Sequence, residues 1–242
     1  MASKANGVQS HYLITDQPQY ARNRFKIAAI GTDRCGKTAF ARRLARNIFC
    51  EPGTADASEP FRQVFHKKMS DGTCAKVELI DVGMEQLNEH SRTANIIRQR
   101  MVIDGAPTST CTEFVDLRGI FLLYDITDGK SFTELSNIIG DLSHLISPDC
   151  EIFLIGCKAD RREDRKVSFK DAEDMSLKIG FSLFETSAKS GANCELALTE
   201  MLEKVYEKHE EAASYVCDAT EEAEPPPRFN LPHIFCQMWN CG

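Results

Sequence analysis

Two patterns of apolar and polar residues alternate along the middle of the chain. Continuous apolar runs, typical of strands covered on both faces of a sheet, occur at 24–31, 119–127 and 151–160. Elsewhere apolar residues recur every three or four positions, as on the buried face of a helix. They are Phe132, Leu135, Ile138, Ile139, Leu142 and Ile146 in one segment, and Leu198, Met201, Leu202 and Val205 in another. The alternation predicts an α/β fold in which helices cover both faces of a mostly parallel sheet.

A hairpin and three regions of distinct composition complete the predicted organisation. The segments FRQVFHKKM and AKVELID flank the turn at 70–73, which predicts two antiparallel strands. Residues 1–23 are polar and aperiodic, and we expect a flexible N-terminal extension. The predicted domain spans 24–215 and carries an insertion at about 100–116, which is either disordered or a binding element for effectors. Residues 216–242 combine an acidic, proline-containing linker with an aromatic tail.

The composition narrows the class of protein. The net charge of -7 disfavours a general nucleic-acid binder, because such proteins cluster Lys and Arg against the phosphate backbone. The ten cysteines are scattered and form no CxxC pair, which favours reduced thiols over a disulfide framework or a zinc site. No apolar run approaches the length of a membrane span and no secretory leader opens the chain, so we expect a cytoplasmic protein.

The first chemical signal is GTDRCGKT at 31–38, which matches the phosphate-binding pattern GxxxxGK[ST]. A predicted strand precedes it, and an amphipathic helix follows it, as this motif requires. Glycines at both ends let backbone N–H groups curl around phosphate oxygens, and the start of the helix adds partial positive charge. Lys37 would neutralise the outer phosphates, and the Thr38 hydroxyl would ligate Mg²⁺. The expected phosphate-binding residues are Gly31, Asp33, Arg34, Cys35, Gly36, Lys37, Thr38 and Ala39.

Three further motifs make residues 24–215 resemble the Ras superfamily of small GTPases. LLYDITDGKSF is similar to the Rab and Ras branches, CKAD at 157–160 stands where the family has NKxD, and ETSAKSG at 185–191 supplies the remaining base-binding element. The resemblance implies a P-loop, three-layer αβα domain of the Ras type with a mostly parallel six-stranded sheet. It also implies that the ligands are GTP, GDP and Mg²⁺.

The resemblance assigns guanine recognition to named side chains. A carboxylate at Asp160 can accept from guanine N1–H and from the exocyclic amine, a donor pair that adenine lacks. Lys158 would lie along the base plane, and the Ala188 N–H would meet guanine O6. Cys157 replaces an asparagine, and because a thiol is a poor hydrogen-bonding group we expect weaker affinity with unchanged specificity. The implied base-binding residues are Cys157, Lys158, Asp160, Ser187, Ala188, Lys189 and Phe49. Phe49 taken alone is more typical of a core position, and it is included because its spacing from Lys37 matches the family.

The metal and the first switch follow from the same resemblance. Asp81 ends a predicted strand where the family has its magnesium-linked aspartate, so Thr38 and Asp81 are expected near the ion. A further ligand should come from the segment CEPGTADASEP, where Thr54 is our candidate and Ser58 the alternative.

The second switch departs from the family pattern DxxGQ. Aligned without a gap, Met84 takes the glycine position and Glu85 the glutamine position; with a loop one residue shorter, Gly83 keeps its place and Met84 replaces the glutamine. Gln86 is outside both registers. Asp81, Gly83 and Met84 are therefore expected at the nucleotide, and Glu85 at the catalytic position. Since neither methionine nor glutamate can orient water as a carboxamide does, we expect slow hydrolysis.

The phosphate-binding loop favours the same interpretation. Asp33 and Arg34 fill positions that are commonly glycine in Ras, and Asp33 should obstruct an arginine finger worth about 10³–10⁵ in rate. Arg34 either acts in cis or is a surface charge. The expected catalytic residues are Lys37, Glu85 and Arg34. Two functions fit: a GTP-hydrolysing switch, or a GTP-bound interaction module that recruits effectors without hydrolysis. A nucleotide kinase is disfavoured because no Arg-rich lid is evident.

Partners are expected to be effector and regulator proteins acting on a monomer. Cys241 is next to last and Trp239 stands where a CaaX box has its cysteine, so prenylation is not expected. Peripheral membrane association through Cys236 or Cys241 stays open.

Overall fold

The computed structural model describes residues 23–51, 62–89, 91, 114, 116–143 and 145–218, with only the backbone for 211–218. Its strands are β1 (Arg24–Gly31), β2 (Arg62–Lys68), β3 (Cys74–Val82), β4 (Leu117–Asp125), β5 (Glu151–Cys157) and β6 (Ser182–Glu185). Its helices are α1 (Lys37–Arg46), α2 (Gly129–Thr133), α3 (Leu135–Leu142), α4 (Phe169–Ile179) and α5 (Cys194–Asp218). Residues 84–89 are also helical, and Arg162–Asp164 form a 3₁₀ turn. Residues 1–22 of the predicted N-terminal extension and the tail from 219 lie outside the described residues, as does nearly all of the insertion at 100–116.

The strands form one sheet in the order β2-β3-β1-β4-β5-β6. β2 pairs antiparallel with β3, and each of the other neighbouring pairs is parallel. The predicted hairpin is confirmed, and its turn closes with a bond from the Met69 N–H to the Thr73 carbonyl. The predicted α/β fold with a mostly parallel six-stranded sheet is therefore confirmed.

An apolar cluster covers each face of the sheet, which explains why the central strands are apolar at every position. On one face Phe121 of β4 packs with Phe40 of α1 and Leu198 of α5. On the other face its neighbour Leu122 packs with Ile138 of α3. Successive residues of β4 thus point into different clusters, and the two clusters hold the three layers together.

The helices differ from prediction in two details. The helix expected over 132–146 is divided at Glu134 into α2 and α3, although backbone bonds on both sides of Glu134 keep the apolar face continuous. It ends at Leu142, and Pro148 soon follows, so Ile146 reaches the core from a turn. α5 continues three residues beyond the predicted boundary at 215. Among the described residues, no helix has the length and apolarity needed to cross a bilayer.

Candidate functional site

The site lies at the carboxyl edge of the parallel strands, where ligands bind in open α/β sheets. Three loops meet there: the P-loop (31–38) after β1, the base loop (157–160) after β5, and the SAK loop (187–189) after β6. β3 ends at the same edge with Asp81 and Val82. Parallel pairing is what brings these distant segments together.

Both P-loop glycines are required by the backbone. A Cβ on Gly31 would lie 2.4 Å from the Leu123 carbonyl oxygen, and Gly36 has a φ of 118°, in the region that favours glycine. α1 begins directly after Gly36 without a side-chain cap, so its N-terminus faces the loop. The Lys37 ammonium, 7% exposed, donates to the Thr32 carbonyl at 2.7 Å and thereby spans the loop. The loop therefore has the backbone geometry and the buried lysine that the predicted phosphate site requires.

The two predicted metal ligands touch each other. The Thr38 hydroxyl donates to Asp81 Oδ2, which joins the start of α1 to the end of β3. Burial raises the pKa of Asp81, while Thr38 and Lys37 oppose that rise. A hydroxyl and a carboxylate oxygen are ligands that suit Mg²⁺, so these two residues fit the expected ion. Thr54 and Ser58 lie outside the described residues.

The second switch begins with a helix cap. The Gly83 carbonyl accepts from the Leu87 N–H at 3.0 Å, which makes Gly83 the N-cap of the helical residues 84–89. The Gly83 N–H donates to Gln86 Oε1 at 3.1 Å, the reciprocal half of a capping box. Met84 packs against the core cluster and Glu85 is exposed. Gln86, outside both sequence registers, therefore brings its carboxamide to the N–H of Gly83, one of the residues expected at the nucleotide.

Lys158 ties the base loop to the P-loop. Its ammonium donates to the Arg34 carbonyl at 2.9 Å and to Asp125 Oδ2 at 2.6 Å. Asp125, 6% exposed, also accepts from the N–H and hydroxyl of Thr127, each at 2.8 Å. Lys158 thus joins the base loop to the P-loop by hydrogen bonds, next to Cys157, whose thiol is a poor hydrogen-bonding group.

The Cys157 side chain packs against the P-loop at Gly36. A Cβ on Gly36 would lie 3.3 Å from Cys157 Cβ, so the two backbones approach closely. Burial raises the pKa of Cys157 well above its ordinary value, and burial raises the pKa of Cys35 and of Cys194 to about 11. These cysteines are protonated at neutral pH, so they contribute packing rather than thiolate chemistry.

Asp160 is anchored to the SAK loop. Its Oδ1 accepts from the Ser187 hydroxyl at 2.6 Å, and that hydroxyl in turn accepts from the Ser190 N–H at 3.1 Å. Backbone bonds join the strand ends below, with the Ala159 N–H donating to the Thr186 carbonyl at 3.0 Å. The Asp160 carboxylate is exposed, and the bond at Oδ1 fixes its orientation. The direction of Oδ2 is therefore fixed as well.

Arg43 of α1 holds the SAK loop from below. Its Nε donates to the Ala188 carbonyl at 2.7 Å and its Nη2 to the Lys189 carbonyl at 3.0 Å. Ala188 is half-buried, and Lys189 is exposed.

The structure therefore gathers most of the predicted residues at one edge. Asp33 and Arg34 are exposed, and Arg34 has a φ of 60° in the P-loop turn. Phe49 is half-buried beyond the end of α1. Sequence reasoning missed Asp125, Arg43 and the contact of Gln86. An aspartate ending the apolar run of β4 and the Gly-x-x-Gln spacing of a capping box were available signals for two of them.

The chain is similar to known proteins throughout this region. The sequence profile of the Ras family matches residues 108–207. Ras-related protein Rab-27B of Rattus norvegicus is 27% identical over 191 residues, covering 76% of this chain and 81% of the relative. Ras-related protein Rab-8B of Homo sapiens is 29% identical over 184 residues, covering 76% and 79%. Ras-related protein SEC4 of Candida albicans is 33% identical over 104 residues, covering 43% and 50%.

A P-loop followed by base-binding loops on a six-stranded sheet defines a nucleotide-binding α/β protein. The match to the Ras family and the similarity to the Rab relatives support a small GTPase of the Ras superfamily, a class of guanine-nucleotide switches in signalling and trafficking.

Proposed function

We propose that this protein is a guanine-nucleotide switch that binds Mg²⁺ with GTP or GDP and hydrolyses GTP slowly. The observation that carries the proposal is the pair of ties at the carboxyl edge: Lys158 joins the base loop to the P-loop, and Ser187 orients Asp160. A site built this way can hold phosphates and a purine base at once.

Each residue has a role in binding. Lys37 and the N–H groups of Gly31–Ala39 hold the phosphates, while Asp160, Lys158, Ala188 and the SAK loop read the guanine. Thr38 and Asp81 would hold the Mg²⁺, together with Thr54 or Ser58, and the ion would neutralise phosphate charge. Phe49 would cover the base.

Slow hydrolysis follows from the second switch. Glu85 is exposed and Met84 packs into the core, so neither supplies a carboxamide for the attacking water. The Gln86 carboxamide is bonded to Gly83 as a helix cap. Lys37 and Arg34 remain as cations near the transferred phosphate, and they supply part of the charge stabilisation without positioning water.

Binding and chemistry need separate experiments. Calorimetry of nucleotide-free protein should show a clear preference for GDP over ADP, and Asp160→Ala should abolish that preference. Single-turnover release of phosphate from GTP-loaded protein should exceed the buffer rate and fall further in Lys37→Met. Equal affinity for GDP and ADP would remove the whole proposal, whereas absence of phosphate release would remove only the enzymatic half.

A non-hydrolysing, GTP-bound interaction module is the second candidate. The exposed Asp33 in the P-loop favours it. Its carboxylate would repel the negatively charged phosphates, and its side chain would sterically obstruct an arginine supplied by a partner. Chromatography of the nucleotide that co-purifies from cells distinguishes the two. Mostly GTP supports the module, and chiefly GDP supports the hydrolysing switch.

The relatives named Ras-related proteins Rab-27B and Rab-8B support a role in signalling or trafficking through effector and regulator proteins. We propose a monomeric, cytoplasmic protein that associates with membranes peripherally at most. Light scattering after size exclusion and fractionation of cells test these two points.

A further inference from the structure

We infer that Arg43, a helix residue that we place outside the nucleotide contacts, is the positioning residue for recognition of guanine O6. This inference deepens the proposed function and rests on it. It assigns Arg43 a specificity role that acts through the backbone of the SAK loop.

The guanidinium fits its position because it is a planar fork of donors. Nε and Nη2 bond the consecutive carbonyls of Ala188 and Lys189, at 2.7 and 3.0 Å. Nη1 bonds the carbonyl and the side-chain oxygen of Asn47, at 2.9 and 3.1 Å. Asn47 itself caps α1 in a left-handed conformation, with φ at 54°. Arg43 thus connects the last turn of α1 to two successive peptide groups of the loop.

The peptide group that carries the Ala188 N–H is bracketed by these contacts. The Ser187 carbonyl, which belongs to that same peptide group, accepts from the Gly191 N–H at 2.8 Å. On its C-terminal side Arg43 fixes the next two carbonyls. The direction of one N–H is therefore set by bonds on both sides of Ala188, and removing Arg43 releases one side. Asp160 is held separately, through the Ser187 hydroxyl, so its contacts with guanine should respond less.

A salt-bridging role does not account for this geometry. Arg43 makes these four bonds to carbonyl and amide oxygens, and none of them to a carboxylate. A lysine would keep the charge but place a single point donor where two carbonyls must be spanned. The planar arrangement of donors in the Arg43 guanidinium, rather than its charge, is therefore what holds the two carbonyls of the SAK loop.

The test compares three diphosphates on the nucleotide-free full chain. GDP carries O6 and the exocyclic amine; inosine diphosphate keeps O6 but lacks the amine; 2-aminopurine riboside diphosphate keeps the amine but lacks O6. The last also lacks N1–H, and that loss falls on Asp160 equally in wild type and variant. In Arg43→Met we expect the affinity for GDP and for inosine diphosphate to fall about tenfold, because one oriented hydrogen bond is lost. The affinity for the 2-aminopurine nucleotide should stay within about twofold.

Two matched variants keep the result interpretable. Arg46→Gln removes an arginine from the same helix whose Nε bonds Gln63 instead, and all three affinities should remain as in wild type. Arg43→Lys should behave like Arg43→Met if the fork matters, and like wild type if the charge matters. Thermal melts of the apo proteins establish that each variant is folded.

The inference is overturned if Arg43→Met weakens all three nucleotides by the same factor, or if Arg43→Lys restores wild-type discrimination. Failure of the proposed function looks different. In that case wild type itself binds GDP no better than ADP or the 2-aminopurine nucleotide.

Discussion

The bond between Gly83 and Gln86 makes the preference for GTP over GDP a test of the second switch. If the Gly83 N–H meets the terminal phosphate, as it would in the register that keeps Gly83 at the glycine position of DxxGQ, the carboxamide must first release it. GDP lacks that phosphate and leaves the bond intact. The cost of breaking the cap therefore falls on GTP alone, and Gln86→Met, which removes the acceptor at similar length, should raise affinity for GTP relative to GDP.

The magnitude follows from the geometry. A neutral N–H to carbonyl bond of 3.1 Å on a half-buried side chain is an ordinary hydrogen bond, with a net value of about 1 kcal/mol. Relieving GTP of that cost should shift the ratio of the two dissociation constants about fivefold. The same substitution removes half a capping box, so the apo protein should lose about 0.5–1 kcal/mol of stability.

The assay is a titration of nucleotide-free protein with fluorescent GDP and with a fluorescent non-hydrolysable GTP analogue, both in excess Mg²⁺. Gln86→Glu serves as the matched variant of opposite sign. A carboxylate is a stronger acceptor for the Gly83 N–H and also repels the terminal phosphate, so the ratio should move toward GDP. Both variants should bind GDP within about twofold of wild type.

An unchanged ratio in Gln86→Met, or a shift toward GDP in that variant, would refute this reasoning. The first result would mean that the Gly83 N–H does not contact the terminal phosphate. The second would mean that the helix cap supports the GTP-bound state.

Three further outcomes can be checked on the same protein. Asp160→Ala should weaken GDP about 10- to 100-fold and leave ADP unchanged in calorimetry, because the charged acceptor of two guanine donors is gone. Lys158→Met should cost the apo protein about 2–3 kcal/mol in chemical unfolding, since it leaves the buried Asp125 carboxylate without its cation; adding Asp125→Leu should recover most of that stability without recovering GDP affinity. Burial alone would raise the pKa of Glu78, but hydrogen bonds from Arg24 and Arg62 lower it below 4.5. The Glu78 carboxylate therefore stabilises the folded protein fully above pH 4.5, and this stabilisation is lost as the pH falls through the folded pKa. The difference in Tm between wild type and Glu78→Gln should be full at pH 7 and vanish in acid. A difference that stays constant with pH would contradict this prediction.

The sequence predicts those features of the structure that a short segment determines by itself. β4 and β5 are apolar at successive positions because both faces of the sheet are covered, and that pattern is visible in the letters. The P-loop is a local structure, in which Gly31, Gly36 and Lys37 act within eight residues. Together they predict that the loop lies between a strand and a helix, and the structure places it between β1 and α1.

The contacts that were missed depend on packing between distant segments. Lys158 and Asp125 are 33 residues apart, and Arg43 and Ala188 are 145 apart, so no spacing rule connects them. Gln86 is different, because its partner is three residues away. The family register DxxGQ does not include this contact, whereas the helix-capping pattern of the same residues describes it.

The two ends of the site differ in what a nucleotide must displace. At the phosphate end, Lys37 bonds Thr32, Thr38 bonds Asp81 and Gly83 bonds Gln86, so under the proposed function phosphate and metal would replace bonds that the protein already makes. At the base end, the Lys158 bridge and the bonds of Arg43 hold the loops from the side of the sheet and helix, so the base would be added to them. Because GDP and GTP carry the same base, the base end raises affinity for both equally. Discrimination between the two states must therefore come from the exchange of partners at Gly83 and at the Thr38–Asp81 pair, where the free-energy differences are those of single hydrogen bonds.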